Sequence, residues 1–269
     1  MTHPLILCWL PLLLCFTGCG PSASGIFPRK VDQRLAEAAA RGDITAINRA
    51  LDAGANLNAI GTKGKQPLQF AFDHKNKAGF EYLLKRGADP NIPDAWGQCV
   101  INYAAKKWKD SEWLSIVMKH GGDPNVRQKL SMLGIIRGET PIYDAITARS
   151  VKNVEILVSG GADINVVDSQ RGYSPVLQAS TFRDPVMVQW LIEHGADWSK
   201  QDIEGTSVAE AEIRHEYDPQ RFPEAAAAHQ WVLDFLEKQG VDLKEAEKRS
   251  RAIYGVNFRR IETKDVKQK

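Results

Sequence analysis

The sequence is poor in cysteine. It contains four cysteines in 269 residues, and three of them, Cys8, Cys15 and Cys19, lie within the first 19 positions. Only Cys99 remains for the rest of the chain, which excludes an intramolecular disulfide framework there. Because the sequence pattern places no histidine beside it, we expect Cys99 to be a small buried residue rather than a nucleophile.

Common catalytic motifs are also missing. The sequence has no Gly-x-Ser-x-Gly elbow, no P-loop, no dinucleotide fingerprint and no His-Glu-x-x-His motif. The pair His215-Glu216 lacks the second histidine that such a zinc motif requires. We therefore predict no catalytic residue, no metal site, no cofactor and no small-molecule substrate.

Net charge is small. The 35 Lys and Arg residues exceed the 33 Asp and Glu residues by two, which argues against a nucleic-acid partner. Residues 244–269 differ from the rest, with nine basic and four acidic residues. We predict a basic C-terminal tail that starts as a helix, Lys244 to Ile253, and is either a solvated end or a contact for anionic lipid or an acidic partner.

A five-residue phrase recurs along the chain. Its copies begin at Gly54, Gly87, Gly121 and Gly161, with weaker copies at Gly195 and Gly240. The steps of 33, 34, 40, 34 and 45 residues are typical of stacked two-helix units. Each glycine follows an apolar helical run, where a left-handed C-cap favours glycine. We expect the acidic residue two places later and the asparagine four places later to bond their own turn.

A second signature lies midway through each unit. It reads Gln66-Pro67-Leu68-Gln69-Phe70-Ala71, Thr140-Pro141-Ile142-Tyr143-Asp144-Ala145 and Ser174-Pro175-Val176-Leu177-Gln178-Ala179. Together the two signatures resemble ankyrin repeats, which start T-P-L-H-x-A and finish G-A-D-x-N. The resemblance implies an all-α ankyrin-repeat solenoid over residues 31–243, with about six helix-turn-helix repeats joined by β-hairpin-like tips. It implies a binding scaffold without naming what is bound.

Residues 1–18 are predicted to be a signal peptide. Pro4 to Phe16 is an uncharged apolar run, too short for a mature membrane span and suited to a signal h-region. It ends in Phe16-Thr17-Gly18-Cys19, which resembles the bacterial lipoprotein box, in which Cys19 carries the lipid (palmitate among its acyl chains). Phe16 and the lack of Lys or Arg depart from that pattern, and the alternatives are an ordinary secretory signal or a chance apolar N-terminus.

The resemblance to the lipoprotein box also predicts where the protein is located. Because Gly20 is not Asp, it favours the outer membrane, with the protein on the periplasmic side. Residues 19–30 are rich in Pro, Ser, Ala and Gly, and we predict a flexible, lipidated tether there.

The ankyrin resemblance also implies a concave binding face, formed by the tips and the exposed side of the first helices. The tips supply Lys63, Lys65, Trp96, Gln98, Arg137, Glu139, Arg171 and Tyr173; the helices supply His74, Lys106, Lys107 and Phe182. Trp, Tyr and Arg contribute most of the energy at protein interfaces, so we interpret this set as partner-binding. The alternative is a set of polar tips that only face water.

Two insertions interrupt the repeats. The first, Gln128 to Ile136, lies at a tip, and its apolar residues, including Leu130 and Met132, are costly to leave in water. They either fold back onto a neighbouring tip or meet a partner. The second, Ile213 to Pro223, is interpreted as a longer loop within the last repeat.

The complete pattern is similar to that of periplasmic ankyrin-repeat immunity lipoproteins. This implies a non-enzymatic lipoprotein that neutralises a secreted, type VI-like toxic effector, such as a lipase, by occluding its active site. The alternative is a scaffolding or protective envelope lipoprotein with a non-toxic periplasmic partner. Both hypotheses require a protein partner at the concave face and membrane attachment through Cys19, without nucleic acid.

Overall fold

A computed structural model describes residues 22–107, 109–128 and 138–255, which form α-helices, turns and one short 3-10 helix, and no strand. The helices in this part of the chain are α1 Lys30–Arg41, α2 Ile44–Asp52, α3 Pro67–Asp73, α4 Lys77–Lys85, α5 Val100–Ala105, α6 Glu112–Lys119, α7 Pro141–Thr147, α8 Val151–Ser159, α9 Pro175–Thr181, α10 Pro185–Glu193, α11 Val208–Glu212, α12 Pro223–Lys238 and α13 Leu243–Tyr254. None of these described helices is long and apolar enough to cross a membrane.

The helices pair and the pairs stack. Each odd-numbered helix contacts the next odd-numbered helix, which makes an inner row, and even-numbered helices form the outer row behind it. Apolar side chains lie between the rows: Leu35, Leu83, Ile101 and Leu157 are fully buried. The predicted all-α solenoid of helix-turn-helix repeats is confirmed.

Helix α13 continues the inner row beyond residue 243. It packs on α11 and α12, and its Ala246 and Ser250 are fully buried. The Ser250 hydroxyl donates to the carbonyl oxygen of Glu210 at 2.9 Å. Residues 243–254 therefore cover the apolar end of the last repeat instead of forming a solvated tail. The rest of the predicted tail, residues 256–269, lies outside the described residues.

Residues 22–29, here called the N-terminal strap, pack against α1 and α3. Ala23 and Phe27 are buried, and the Phe27 ring meets Phe70 edge to face at 6.5 Å. The backbone N–H of Ala23 donates to Glu37 Oε1 at 2.9 Å, and Gln33 Nε2 donates to the carbonyl of Phe27 at 2.6 Å. Burial of one phenylalanine contributes about 1.5–3 kcal/mol. This corrects the predicted flexible tether, of which residues 19–21 lie outside the described residues.

Asparagine side chains join successive repeats in what we call the asparagine ladder. The Oδ1 atoms of four asparagines accept the backbone N–H of an aspartate in the following repeat at 2.7–2.9 Å; the pairs are Asn58 with Asp89, Asn91 with Asp123, Asn125 with Asp163, and Asn165 with Asp197. The carboxylate of Asp89 accepts the N–H of Asn91 at 2.8 Å, so the predicted turn bond of the acidic residue is confirmed. The prediction that the asparagine bonds its own turn is wrong, because its side chain reaches the next repeat.

Replacement of a ladder asparagine should destabilise the stack. In Asn125→Ala the side chain loses its bonds to Asp163 N and to the carbonyl of Gly161, both 2.8 Å. We expect a loss of about 1–3 kcal/mol in the free energy of unfolding, measured by urea denaturation.

The matched control is Ser199→Ala. Ser199 occupies the same position in its repeat, but its hydroxyl bonds Asp197 of its own turn at 2.6 Å. We expect this variant to lose less than about 1 kcal/mol. Equal losses for the two variants would contradict a role of the ladder in coupling the repeats.

Candidate functional site

Buried aspartates shape the predicted tips. The Oδ1 atom of Asp94 accepts the backbone N–H groups of Trp96 at 2.9 Å and Gln98 at 3.1 Å. Asp168 and Asp202 bind the amides of their own tips in the same way. In each of these tips a carboxylate closes the turn by accepting backbone N–H groups. At the first of them, the bonds to Asp94 fix the backbone of Trp96 without a regular strand.

Neighbouring tips are bonded to each other in two places. The N–H of Ala95 donates to the carbonyl of Lys63 at 2.9 Å, and the N–H of Ile203 donates to the carbonyl of Arg171 at 3.0 Å. At the first tip, Thr62 N donates to the carbonyl of Ile26 in the N-terminal strap at 2.8 Å. These bonds fix the spacing between side chains of successive repeats.

The tip bonds bring predicted cations and aromatic rings together. Lys63 Nζ lies 5.6 Å from the ring centroid of Trp96, and Arg171 Cζ lies 5.7 Å from that of Tyr173. Trp96 is 43% exposed, although burying an indole is favourable. Both pairs have the geometry of a cation over a ring face, which stabilises an exposed site by about 0.5–1 kcal/mol.

Three of the predicted binding residues, Lys65, Gln98 and Lys106, make contacts within the fold instead. Lys106 Nζ lies 3.1 Å from Asp144 Oδ1 and 3.2 Å from Gln98 Oε1, so it links a tip to a buried acid. Burial raises the pKa of the Asp144 carboxyl, and the charge of Lys106 opposes that shift. Lys65 is paired with Asp73.

Four predicted residues lie away from the tips. His74, Lys106 and Phe182 are the C-caps of α3, α5 and α9, and Lys107 follows Lys106. These positions are at the opposite end of the inner helices from the tips. The residues predicted to form one face therefore lie along two edges of the solenoid, one at the tips and one at the helix turns.

The first insertion is described only at its edges. Gln128 is buried; its Nε2 donates to Asp144 Oδ2 at 2.9 Å, and its N–H donates to the carbonyl of Glu139 at 2.9 Å. The predicted binding residues Leu130, Met132 and Arg137 lie outside the described residues.

The sequence reasoning missed an apolar side chain at a tip. Ile203 is 75% exposed, beside Arg171 and Tyr173. Its signal was present, because an isoleucine between Asp202 and Glu204 is unusual in a polar turn. We define the tip surface as Lys63, Trp96, Arg171, Tyr173 and Ile203.

Ionisable groups also gather in the interior, between α9, α11 and α12. The Glu212 carboxylate is fully buried, and neither oxygen has a well-aligned hydrogen bond to another described residue; burial raises its pKa to about 7, and the nearby Ser180 hydroxyl opposes that shift. His229 Nε2 lies 3.6 Å from Glu212 Oε2. His215 Nε2 donates to the carbonyl of Ser180 at 2.9 Å, and burial lowers its pKa to about 4.

This cluster is enclosed by packing rather than open to a substrate. His215 belongs to the second insertion, which therefore packs against α9 and is more than a longer loop. Among the described residues no group of three His, Cys, Asp or Glu could hold a metal ion. Cys99 is buried, and burial raises the pKa of its thiol to about 12, so it is a poor nucleophile.

Stability should depend on Glu212 in a pH-specific way. Its folded-state pKa of about 7 exceeds the ordinary 4.5, so the folded protein binds more protons than the unfolded chain between these values. Stability conferred by this group is therefore lost as pH rises through that window. We expect Glu212→Gln to be more stable than the wild type at pH 8 by about 3 kcal/mol, and nearly equal at pH 4 to 5.

Glu210→Gln is the matched control on the same helix. Burial alone would raise the pKa of Glu210, but hydrogen bonds from Ser207 and Arg249 hold it below the usual range. Its removal should lower stability at pH 8, the opposite sign. A Glu212→Gln variant that is less stable than the wild type at pH 8 in urea denaturation would refute the buried neutral acid.

Comparison with known proteins agrees with this geometry. Residues 101–202 match the family model of ankyrin repeats (3 copies). The mitochondrial disaggregase of Bos taurus is 29% identical over 136 residues, which make up 51% of this chain and only 19% of that protein. The cyclin-dependent kinase 4 inhibitor B of Rattus norvegicus is 40% identical over 63 residues, 23% of this chain and 48% of that protein.

A solved structure shares the architecture. The crystal structure of EF0377, an ankyrin repeat protein, superimposes with a TM-score of 0.58 and 24% identity, over 73% of this chain and 96% of that one. This fold is typically a non-enzymatic scaffold for protein interactions. The chain contains ankyrin repeats and has the ankyrin-repeat fold.

Proposed function

We propose that this chain is a non-enzymatic lipoprotein that binds a protein through the tip surface and, as an immunity protein, neutralises a secreted toxic effector by occluding its active site. One observation carries the proposal. Two cation–aromatic pairs, exposed Lys63 with Trp96 and exposed Arg171 with half-buried Tyr173, lie on turns that are fixed by backbone hydrogen bonds.

The composition of the tip surface suits a protein interface. Tryptophan, tyrosine and arginine are the residues most often found at the energetic centre of such contacts. Ile203 adds an apolar side chain that is 75% exposed next to Arg171. In the proposed complex these side chains enter depressions on the partner, while the polar turns around them form a rim.

Occlusion of an active site requires a surface that does not have to be ordered on binding. The carboxylates of Asp94 and Asp168 hold the tips from inside, and the asparagine ladder fixes the distance between repeats. A preorganised surface loses little conformational entropy in the complex, which favours tight inhibition. The rat relative is by name an inhibitor of another protein, cyclin-dependent kinase 4.

The proposed location is the periplasmic side of the bacterial envelope, and the lipoprotein-like box that ends at Cys19 supports it. Three peptide units join Cys19 to Ser22, where the strap begins, and they span at most about 11 Å when extended. A lipid on Cys19 would therefore hold the first repeat close to the membrane surface. The packed strap makes this attachment shorter than a free tether would.

Truncation of the tip surface should weaken partner binding. We expect Trp96→Ala and Arg171→Ala each to raise the Kd for the partner at least tenfold, because each removes an anchor worth more than about 1 kcal/mol. Lys152→Ala on outer helix α8 is the control and should leave the Kd unchanged. The product of the adjacent gene is the first partner to test, by calorimetry.

Unchanged affinity in both tip variants would rule out the tip surface. A second result separates the two proposed roles. If the bound partner is toxic, deletion of this chain should expose the cell to killing by its neighbours. Survival of the deletion strain, with loss of a non-toxic partner protein instead, would favour a scaffolding role.

Attachment is tested on the mature N-terminus. We expect mass spectrometry of the purified protein to show an acylated Cys19, and Cys19→Ser to shift the protein from the membrane fraction to the soluble fraction. An intact Met1 would contradict the lipoprotein assignment while leaving the tip surface untouched.

A further inference from the structure

A groove lies at the helix-turn edge, at the end of the inner helices opposite the tip surface. It has a volume of about 790 Å³ and is formed by the turns of the second and third repeats. Its floor is the buried pair Phe72 and Trp113, whose rings meet edge to face at 4.9 Å. Its rim carries five lysines: Lys75, Lys77, Lys106, Lys107 and Lys109.

The charge of this rim is only partly neutralised by the chain. Lys77 is paired with Asp110, at 2.8 Å, and with Glu112; hydrogen bonds to these two acids raise the pKa of its ammonium. Asp110 is the one acidic residue among those lining the groove. Lys75 and Lys107 are exposed and form no ion pair with any described residue.

The residue at the same position of the turn is also basic in later repeats, but there its side chain bonds to the backbone of the next repeat. Arg149 Nη2 donates to the carbonyl of Phe182 at 2.5 Å, across to the next repeat. Arg183 Nη2 likewise reaches the carbonyl of Glu216 at 3.5 Å. Lys75 shares the left-handed backbone of these arginines, with φ of 57°, yet its side chain forms no such bond with the described residues of the third repeat. Its charge therefore faces the groove.

The termini of the chain do not supply a counter-charge for the groove. Residues 1–21 contain no Asp or Glu, and residues 256–269 contain five basic and two acidic residues. An uncharged segment and a basic segment both leave the lysines uncompensated. The net charge of the groove is complementary to that of an acidic segment.

We propose that this lysine groove binds an acidic segment of a protein partner. Carboxylates of the segment pair with Lys75 and Lys107, and an apolar side chain lies along the lysine stems above Phe72, whose ring is 5.3 Å from Lys107 Nζ. The charges of these two lysines lie on two consecutive turns. Such separated charges match several carboxylates along an extended segment better than they match one compact phosphate. Moreover, the amide of Gly79 at the start of α4 is already taken by Asn76 Oδ1 at 2.9 Å.

The proposal does not depend on the toxin-neutralising role or on the tip surface. It is tested with the full mature chain and a fluorescein-labelled peptide that alternates glutamate with phenylalanine, by fluorescence anisotropy. We expect saturable binding that weakens as salt is raised. The double variant Lys75→Glu with Lys107→Glu should weaken binding at least tenfold, and Lys75→Arg with Lys107→Arg should preserve it.

The control variant reverses the charge of two lysines elsewhere in the chain. Lys152→Glu with Lys248→Glu changes two exposed lysines on α8 and α13 and should alter affinity less than twofold. The tip variant Trp96→Ala should also bind the peptide normally, which separates this groove from the tip surface. A peptide with glutamine in place of glutamate should not bind.

Several outcomes would overturn the proposal. They are absent peptide binding, equal binding by the lysine double variant, and loss of peptide binding in Trp96→Ala. Inorganic phosphate at millimolar concentration and vesicles of phosphatidylglycerol are the remaining probes. Binding of either one that depends on Lys75 and Lys107, while the peptide does not bind, would assign the groove to a phosphate group or a lipid surface instead.

Discussion

Side-chain amides at four boundaries between repeats constrain the geometry of the stack. Asn91 and Asn125 each accept a backbone N–H of the next repeat and donate to a carbonyl of its closing glycine. These backbone groups belong to turns and have no helical partner, so the asparagine satisfies them across the boundary between units. A unit without its neighbour would lose these bonds along with its apolar contacts, and the repeats are therefore interdependent.

A stack of such units has two apolar ends, and the chain covers both with its own residues. At the N-terminal end the strap places Phe27 against Phe70. At the C-terminal end α13 places Ala246 against the last pair. With both ends covered in this way, the two proposed binding surfaces, the tip surface and the lysine groove, lie along the long edges of the solenoid.

Periodic features of this fold were predictable from the sequence, and single contacts were not. The glycine spacing and proline signatures predict the helix pairs because every repeat carries the same local signals. The Pro, Ser and Gly content of the strap predicts a tether. The local sequence does not indicate that Ala23 and Phe27 pack against a hydrophobic surface formed by residues far along the chain. Lys106 was assigned to binding because its partner Asp144 lies 38 positions away and one repeat further along.

The two edges differ in the kind of interaction that each can contribute to a complex. Lys75 and Lys107 of the groove are exposed charges, which raise association rates at low salt but are screened beyond about 10 Å. Trp96 and Tyr173 are held by their turns and act only at contact, so they determine how slowly a complex dissociates. A partner with an acidic segment beside its cleft would be drawn to one edge and retained at the other. Because both edges belong to one rigid set of repeats, binding at the first raises the effective concentration at the second.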